Sequence, residues 1–302
     1  MGSRGRPPTV DQTRAGRARA GCQTRYALLA ESWSPPVPIA AAADGTRLYF
    51  EEIGEGEPLL LISGQGLDHG FWDPIREGFA QTHRVISFDN RGTGRSDEPH
   101  EPPYTTRGMA ADAVAVLDHL GVERVHAYGH SMGGRIAQWL GIDHGDRLGA
   151  LVLGGTTPGS AHGVARPAAV TARFVRRPRD EQEALDKWGP LFFSADWAAA
   201  HQDLVRRLFV DNPLSAAARR LHYGASEGHD SWADLPRISC PTLVLHGGAD
   251  VLNVPGNAEL LAERIPGAEL RMLPGAGHGY QFEFEAEATA AVLDFLARHP
   301  LR

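Results

Sequence analysis

The sequence predicts an α/β protein: a mostly parallel sheet with helices on both faces, and a helical segment inserted late. Three observations carry this prediction. Strand-like and helix-like runs alternate over residues 39–155 and again over 236–302, and repeated β-then-α units build parallel sheets. Some strand candidates are unbroken apolar runs, such as Leu59-Leu60-Leu61-Ile62, as a strand covered on both faces requires. Between about Thr156 and Leu235 the alternation stops and the pattern is helical, with aromatic residues scattered through it and no strand candidate. The expected organisation is therefore a core made of 39–155 and 236–302, a helical insertion over 156–235, and an N-terminal extension over 1–38.

That extension carries Arg4, Arg6, Arg14, Arg17, Arg19 and Arg25 against Asp11 and Glu31, with five prolines and few apolar residues. Such a stretch is expected to be disordered. Its longest apolar segment, Tyr26 to Ala30, is too short for a secretory signal; a transit peptide or a basic arm fits it less well than a plain extension. From Ile39 the chain reads as globular. Arg47 to Ile53 alternates as a strand, Gly54 to Pro58 is a turn, and Leu59 to Ile62 is the buried strand. Phe71 to Gln81 suits a helix, and Arg84 to Phe88 a strand ending in Asp89-Asn90-Arg91-Gly92. Thr105 caps a helix that runs to Leu120, with Gly121 just beyond. Arg124 to Tyr128 is a strand, Arg135 to Ile142 a helix, and Leu148 to Leu153 a strand. After the insertion come a strand at Pro241 to His246, a helix from Pro255 to Arg264, a strand from Ala268 to Leu273 and a closing helix from Glu283 to Arg298.

Composition narrows the partners. A net charge of −7 and a pI near 6.0 give no electrostatic reason to bind nucleic acid or an anionic membrane. No apolar run is long enough to span a bilayer. Two cysteines, Cys22 and Cys240, make no disulfide scaffold, so a reducing, cytoplasmic setting is expected. No His/Cys cluster has metal-ligand spacing, so neither a metal nor a cofactor is called for.

The chemistry gathers at strand ends. Gly129-His130-Ser131-Met132-Gly133 has the Gly-x-Ser-x-Gly form between a strand and a helix. A sharp strand-to-helix turn leaves room only for glycine on either side, and it presents the serine Oγ beside the first helical N–H groups, which have no partner inside the helix. The alternative reading is a Gly-rich turn with a capping serine. A serine nucleophile needs a base oriented by an acid, and the chain order in such a sheet is serine, acid, histidine. Asp250 follows the strand ending at His246, and His278 follows the strand ending at Leu273. Ser131, Asp250 and His278 are therefore the candidate triad, although aspartate also caps and turns, and a histidine is also a common polar loop residue. The backbone N–H groups of Gln65, in Ser63-Gly64-Gln65-Gly66, and of Met132 are the candidate oxyanion donors. His130 reads as a packing residue, His246 as the edge of the site and Asp89 as a self-bonded turn. His229 and Asp230 in the insertion have no spacing that assigns them a role.

These motifs resemble the α/β-hydrolase superfamily. The residues that carry the likeness are Asp89-x-Arg91-Gly92-x-Gly94-x-Ser96, Gly129-His130-Ser131-Met132-Gly133-Gly134, Pro241-Thr242-Leu243-Val244 with Gly247 to Asp250, and Gly275-Ala276-Gly277-His278. The resemblance spans about Ala40 to Pro300. It implies an eight-stranded-type sheet, a helical cap over the site, Ser131 as nucleophile, His278 as base and Asp250 as its orienter. Members often carry His-Gly where this chain has Ser63-Gly64, which puts the hydrogen bonding of that loop in question. The implied activity is cleavage of a small or medium carboxylic ester or lactone bearing an apolar acyl or ring group. Carbon–carbon bond hydrolysis and cofactor-free perhydrolysis or haloperoxidation are alternatives on the same triad, and a non-catalytic ligand binder is a further one.

Overall fold

The computed structural model describes residues 1–2, 37–99, 104–211 and 214–301. The chain divides into Met1–Val37 and Pro38–Arg302, and everything below concerns the second unit. Apart from its ends, the disordered extension expected over 1–38 lies outside the described residues, as does Cys22.

Strands β1 (Ile39–Ala41), β2 (Arg47–Ile53) and β3 (Glu57–Ile62) open the fold. Helix α1 (Asp73–Ala80), β4 (His83–Phe88), α2 (Thr106–His119), β5 (Val125–His130), α3 (Met132–Asp143) and β6 (Leu148–Gly154) follow. Five helices come next among the described residues: α4 (Ala168–Val175), α5 (Glu181–Phe192), α6 (Ala195–Ala200), α7 (Gln202–Phe209) and α8 (Ala216–Glu227). The chain then returns to the sheet with β7 (Thr242–Gly247), α9 (Gly256–Arg264), β8 (Glu269–Leu273), α10 (Tyr280–Glu283) and α11 (Glu285–Ala297). The eight strands form one sheet in the order β1-β2-β4-β3-β5-β6-β7-β8. The two joins made by β2 are antiparallel and the rest are parallel.

The unbroken apolar run of β3 is explained by its two covers. Leu60 and Ile62 face a core containing Met109, Ala113, Val116 and Leu117 of α2 and Ile136 and Leu140 of α3. Leu59 and Leu61 face the other core, with Ile75 and Phe79 of α1 and Val292, Phe295 and Leu296 of α11. The spacings within α1, α2 and α11 follow the helical period of 3.6, and the strand period of 2 sends alternate residues to opposite faces. Thr105 accepts a hydrogen bond from Gly108 N at 2.9 Å, which caps α2 as expected.

Several boundaries differ from the sequence reading: β3 begins at Glu57, inside the expected turn Gly54 to Pro58, and β5 runs on to His130. Helix α3 begins at Met132 rather than beyond Gly133-Gly134, because those glycines serve packing against neighbouring segments and not helix breaking. The closing helix expected over Glu283 to Arg298 is α11, with the separate short helix α10 just before it, and the helix expected from Phe71 begins only at Asp73 as α1, after a short 3₁₀ turn, His69–Phe71. No helix among the described residues is long and apolar enough to cross a membrane.

Candidate active site

The strand order reverses at β3, whose sequence neighbour β4 lies on one side and β5 on the other. Loops leaving the carboxyl ends of β3 and β5 diverge there and leave the crevice in which open α/β sheets bind ligands. Gln65 leaves one strand and Ser131 the other.

Ser131 has φ +59° and is the one described non-glycine residue with positive φ. Such a conformation costs on the order of 1–3 kcal/mol and persists only where its surroundings impose it. Here Ser131 N donates to Gly154 O at 2.8 Å, and Ser131 O accepts from Thr156 Oγ1 at 2.8 Å and from Arg135 N at 3.2 Å. The flanking glycines allow the turn to close. A Cβ on Gly129 would sit 2.2 Å from Gly133 O, and one on Gly133 would sit 2.0 Å from Ile62 O.

His278 is fixed from three sides. Its Nδ1 donates to Asp250 Oδ2 at 2.6 Å, which leaves Nε2 as the ring's acceptor. Its carbonyl accepts from His130 Nε2 at 2.9 Å. The Phe192 ring meets the imidazole edge to face at 5.0 Å, while the Phe192 carbonyl accepts from Gly279 N at 2.7 Å. The second oxygen of Asp250, Oδ1, accepts from Leu252 N at 2.8 Å and Asn253 N at 2.9 Å, so both oxygens of this buried carboxylate are used. Ser131 and His278 line one cavity of about 510 Å³, together with Gln65 and the side chains of Leu67, Trp188, Phe192 and Phe209.

The loop after β3 is held by two of its N–H groups. Leu67 N closes a turn onto Gly64 O at 3.2 Å, with Gly66 at φ +73° as a type II turn requires. Gly66 N donates to His222 Nδ1 at 3.3 Å. Neither Gln65 N nor Met132 N has a hydrogen-bond partner among the described residues, and a Cβ on Gly64 would lie 3.2 Å from Ser131 Cβ. Two free donors thus flank the serine. Ser63 donates from Oγ to Asp68 O at 2.8 Å, which ties the loop.

The remaining candidates have other work. Burial pushes the pKa of His130 well below its ordinary value, and the neighbouring His278 adds to the shift; the ring stacks on Phe71 at 5.4 Å. His246 does not line the cavity as a site-edge residue. It lies buried behind Asp250, with Nε2 donating to Asn253 O at 2.5 Å, because a strand residue pointing into the sheet's face is covered by the next loop. His229 bonds Thr106 and Gln138 inside the protein, and Asp230 pairs with Gly159 through a backbone bridge. Asp89 Oδ2 accepts from Arg95 N at 2.7 Å within its own turn, and Oδ1 accepts from His69. Cys240 is a buried free thiol whose pKa burial pushes up to about 11.

Sequence reasoning missed three residues. Asn253 bonds Asp250 through its N–H and Gly155 O through Nδ2 at 2.6 Å. His222 joins α8 to both sheet-edge loops, accepting from Gly66 N and donating to Arg91 O at 2.7 Å. Arg135, one helical turn past the serine, reaches the cavity wall. Among the described residues, two groups of acids and histidines drawn from separate segments also come together, Glu57/His83/His126 and Asp68/His69/Asp89. Hydrogen bonds within each, His126 to Glu57 at 3.1 Å and His69 to Asp89 at 2.7 Å, account for the grouping.

A family profile described as alpha/beta hydrolase fold matches residues 57–285. The chain is 32% identical over 267 residues to the proposed carbamate hydrolase RutD of Caulobacter sp. (strain K31), covering 83% of this chain and 96% of that protein. It is 30% identical to a non-heme haloperoxidase of Rhodococcus erythropolis, covering 86% of this chain and 99% of that one. Among solved structures, the enol-lactonase from Burkholderia xenovorans LB400 is similar with a TM-score of 0.75 and 28% identity, over 86% of this chain and 100% of that one.

Proposed function

This chain belongs to the alpha/beta hydrolase fold family, and we propose that it is a serine hydrolase that cleaves a small or medium carboxylic ester or lactone through an acyl-enzyme. The observation that carries the reading is the cavity shared by Ser131 and His278, with the imidazole held by Asp250 at 2.6 Å. In the forward step Ser131 Oγ attacks the carbonyl carbon and its proton passes to His278 Nε2. The negative charge on the carbonyl oxygen is met by the Gln65 and Met132 N–H groups; losing one such donor costs roughly 2.7–4 kcal/mol of transition-state stabilisation. The intermediate collapses with loss of the alkoxide, which takes the proton from His278. Water, deprotonated by the same nitrogen, then releases the acid and restores Ser131. Asp250 holds the tautomer throughout and stabilises the imidazolium.

In this reading the helices over 156–235 act as a cap on a core of 39–155 and 236–302. Trp188, Phe192 and Phe209 line the cavity and suit an apolar acyl or ring group. A buried free thiol at Cys240 agrees with a cytoplasmic setting. The test is turnover of 4-nitrophenyl esters by the wild type and Ser131→Ala: loss of about 10⁴-fold or more is expected, and equal rates remove Ser131 from the mechanism. The haloperoxidase relative favours one second reading, perhydrolysis on the same serine, which peracid formation from acetate and hydrogen peroxide would reveal.

A further inference from the structure

The cavity holds a buried cation that neither the proposed chemistry nor the protein's own carboxylates employ. Arg135 follows Ser131 by one turn of α3 and is buried, with only 8% of its surface exposed. Its Nη1 donates to Ser226 O and Oγ, both at 2.6 Å, and its Nη2 reaches Asn253 Oδ1 at 3.4 Å. Its Nε has no partner, and no carboxylate among the described residues forms an ion pair with it. The nearby Glu227 is paired with Arg166 instead, at 3.2 Å. Burial lowers the pKa of Arg135 only to about 10, so it stays charged at neutral pH. A buried guanidinium with no counter-charge is costly to keep, and a ligand anion would offset that cost.

A second buried cation lines the same cavity. Lys187 Nζ donates to the carbonyls of Phe174 and Arg176, both at 2.7 Å, and no carboxylate among the described residues pairs with it. The acids on the wall are already engaged: Asp180 caps α5 through Glu183 N at 2.9 Å, and Glu181 pairs with Arg206 at 2.7 Å. Both acids are exposed, whereas Arg135 and Lys187 are buried, so the buried charge of the cavity wall is of one sign.

We propose that the substrate carries a carboxylate at its non-reacting end and that Arg135 receives it. This rests on the serine-hydrolase reading and narrows it to half-esters of dicarboxylic acids or carboxylated lactones. Since Arg135 stands four residues, about 6 Å along the helix, from Ser131, the carboxylate sits a few bonds from the scissile carbonyl. Guanidinium fits that group as a two-pronged donor.

The experiment compares the 4-nitrophenyl half-ester of glutaric acid with its neutral methyl ester, for the wild type, Arg135→Met and Arg135→Lys. The wild type should prefer the anion in kcat/KM by about 30-fold, or about 2 kcal/mol at ~1.4 kcal/mol per tenfold, with most of the difference in KM. Arg135→Met should bring the ratio to about one, and Arg135→Lys should keep part of it, because a lysine retains the charge without the fork. A purely structural role for Arg135 would lower both rates together and leave the ratio standing, which overturns the proposal. A wild-type ratio at or below one also overturns it and needs no variant to fold. If both esters turn over and a fluorophosphonate labels Ser131, a ratio of one sinks this inference alone. If neither turns over and Ser131 stays unlabelled, it is the hydrolase reading that fails.

Discussion

Replacing Asp250 by asparagine should switch off the base while leaving the shape of the site intact. In the structure Asp250 Oδ1 accepts from two backbone donors, Leu252 N at 2.8 Å and Asn253 N at 2.9 Å. An asparagine must keep its oxygen on that side, because its NH₂ would otherwise point at two N–H groups. Its NH₂ then faces His278 Nδ1, now 2.6 Å from a carboxylate oxygen. Two donors cannot share that contact, so the ring must move its proton to Nε2, the atom that should accept the proton of Ser131. The expected loss is about 10⁴-fold in kcat, or roughly 5.5 kcal/mol at ~1.4 kcal/mol per tenfold. Stopped-flow hydrolysis of 4-nitrophenyl butyrate gives the rate, and ¹⁵N NMR of the imidazole gives the tautomer. Activity within tenfold of wild type, or a ring that keeps its proton on Nδ1, would refute the reasoning.

Two further perturbations test other parts of the account. Gly133→Ala adds a Cβ 2.0 Å from Ile62 O and 2.8 Å from Ser63 O; backbone cannot step aside, so overpacking of about 1–3 kcal/mol should lower the urea midpoint and esterase activity together, and an unchanged midpoint would show that the elbow is looser than described. Acid should destabilise the fold. Burial drives the pKa values of His130, His222, His229 and His246 below 6.5, so below pH 6.5 the unfolded chain takes up protons that the folded one refuses, and stability falls as pH falls. Each such residue contributes up to about 1.4 kcal/mol per pH unit. His69 opposes them, since despite its burial the hydrogen bond and charge of Asp89 raise its pKa. Tm should therefore drop steadily from pH 7 to pH 5, and a flat or rising Tm would contradict this.

Much of the fold was legible because its signals are local. The double-sided burial of β3 is written in four consecutive apolar residues, and the cap of α2 in Thr105. Chain order put Asp250 and His278 after successive strands, which in a parallel sheet brings their loops to one edge. Other features left no local trace. Strand β1 has three residues, too few for a period to register. The sequence places the start of α3 too late because Gly133-Gly134 resembles a helix breaker, whereas Gly133 answers to Ile62, far back in the chain. His222 and Asn253 act through hydrogen bonds to segments 98 to 156 residues away, and nothing beside them in sequence announces those partners. Arg135 was visible as a charged residue on an apolar helix, and its position one turn after the serine was the signal that could have singled it out.

The most direct test of the central claim is the mass of the enzyme caught in turnover. Wild-type protein mixed with 4-nitrophenyl butyrate, quenched in acid within milliseconds and digested, should carry one butyryl group on the peptide containing Ser131, and Ser131→Ala should carry none. Steady hydrolysis with no adduct on that peptide, or with the acyl group on another residue, would contradict the account.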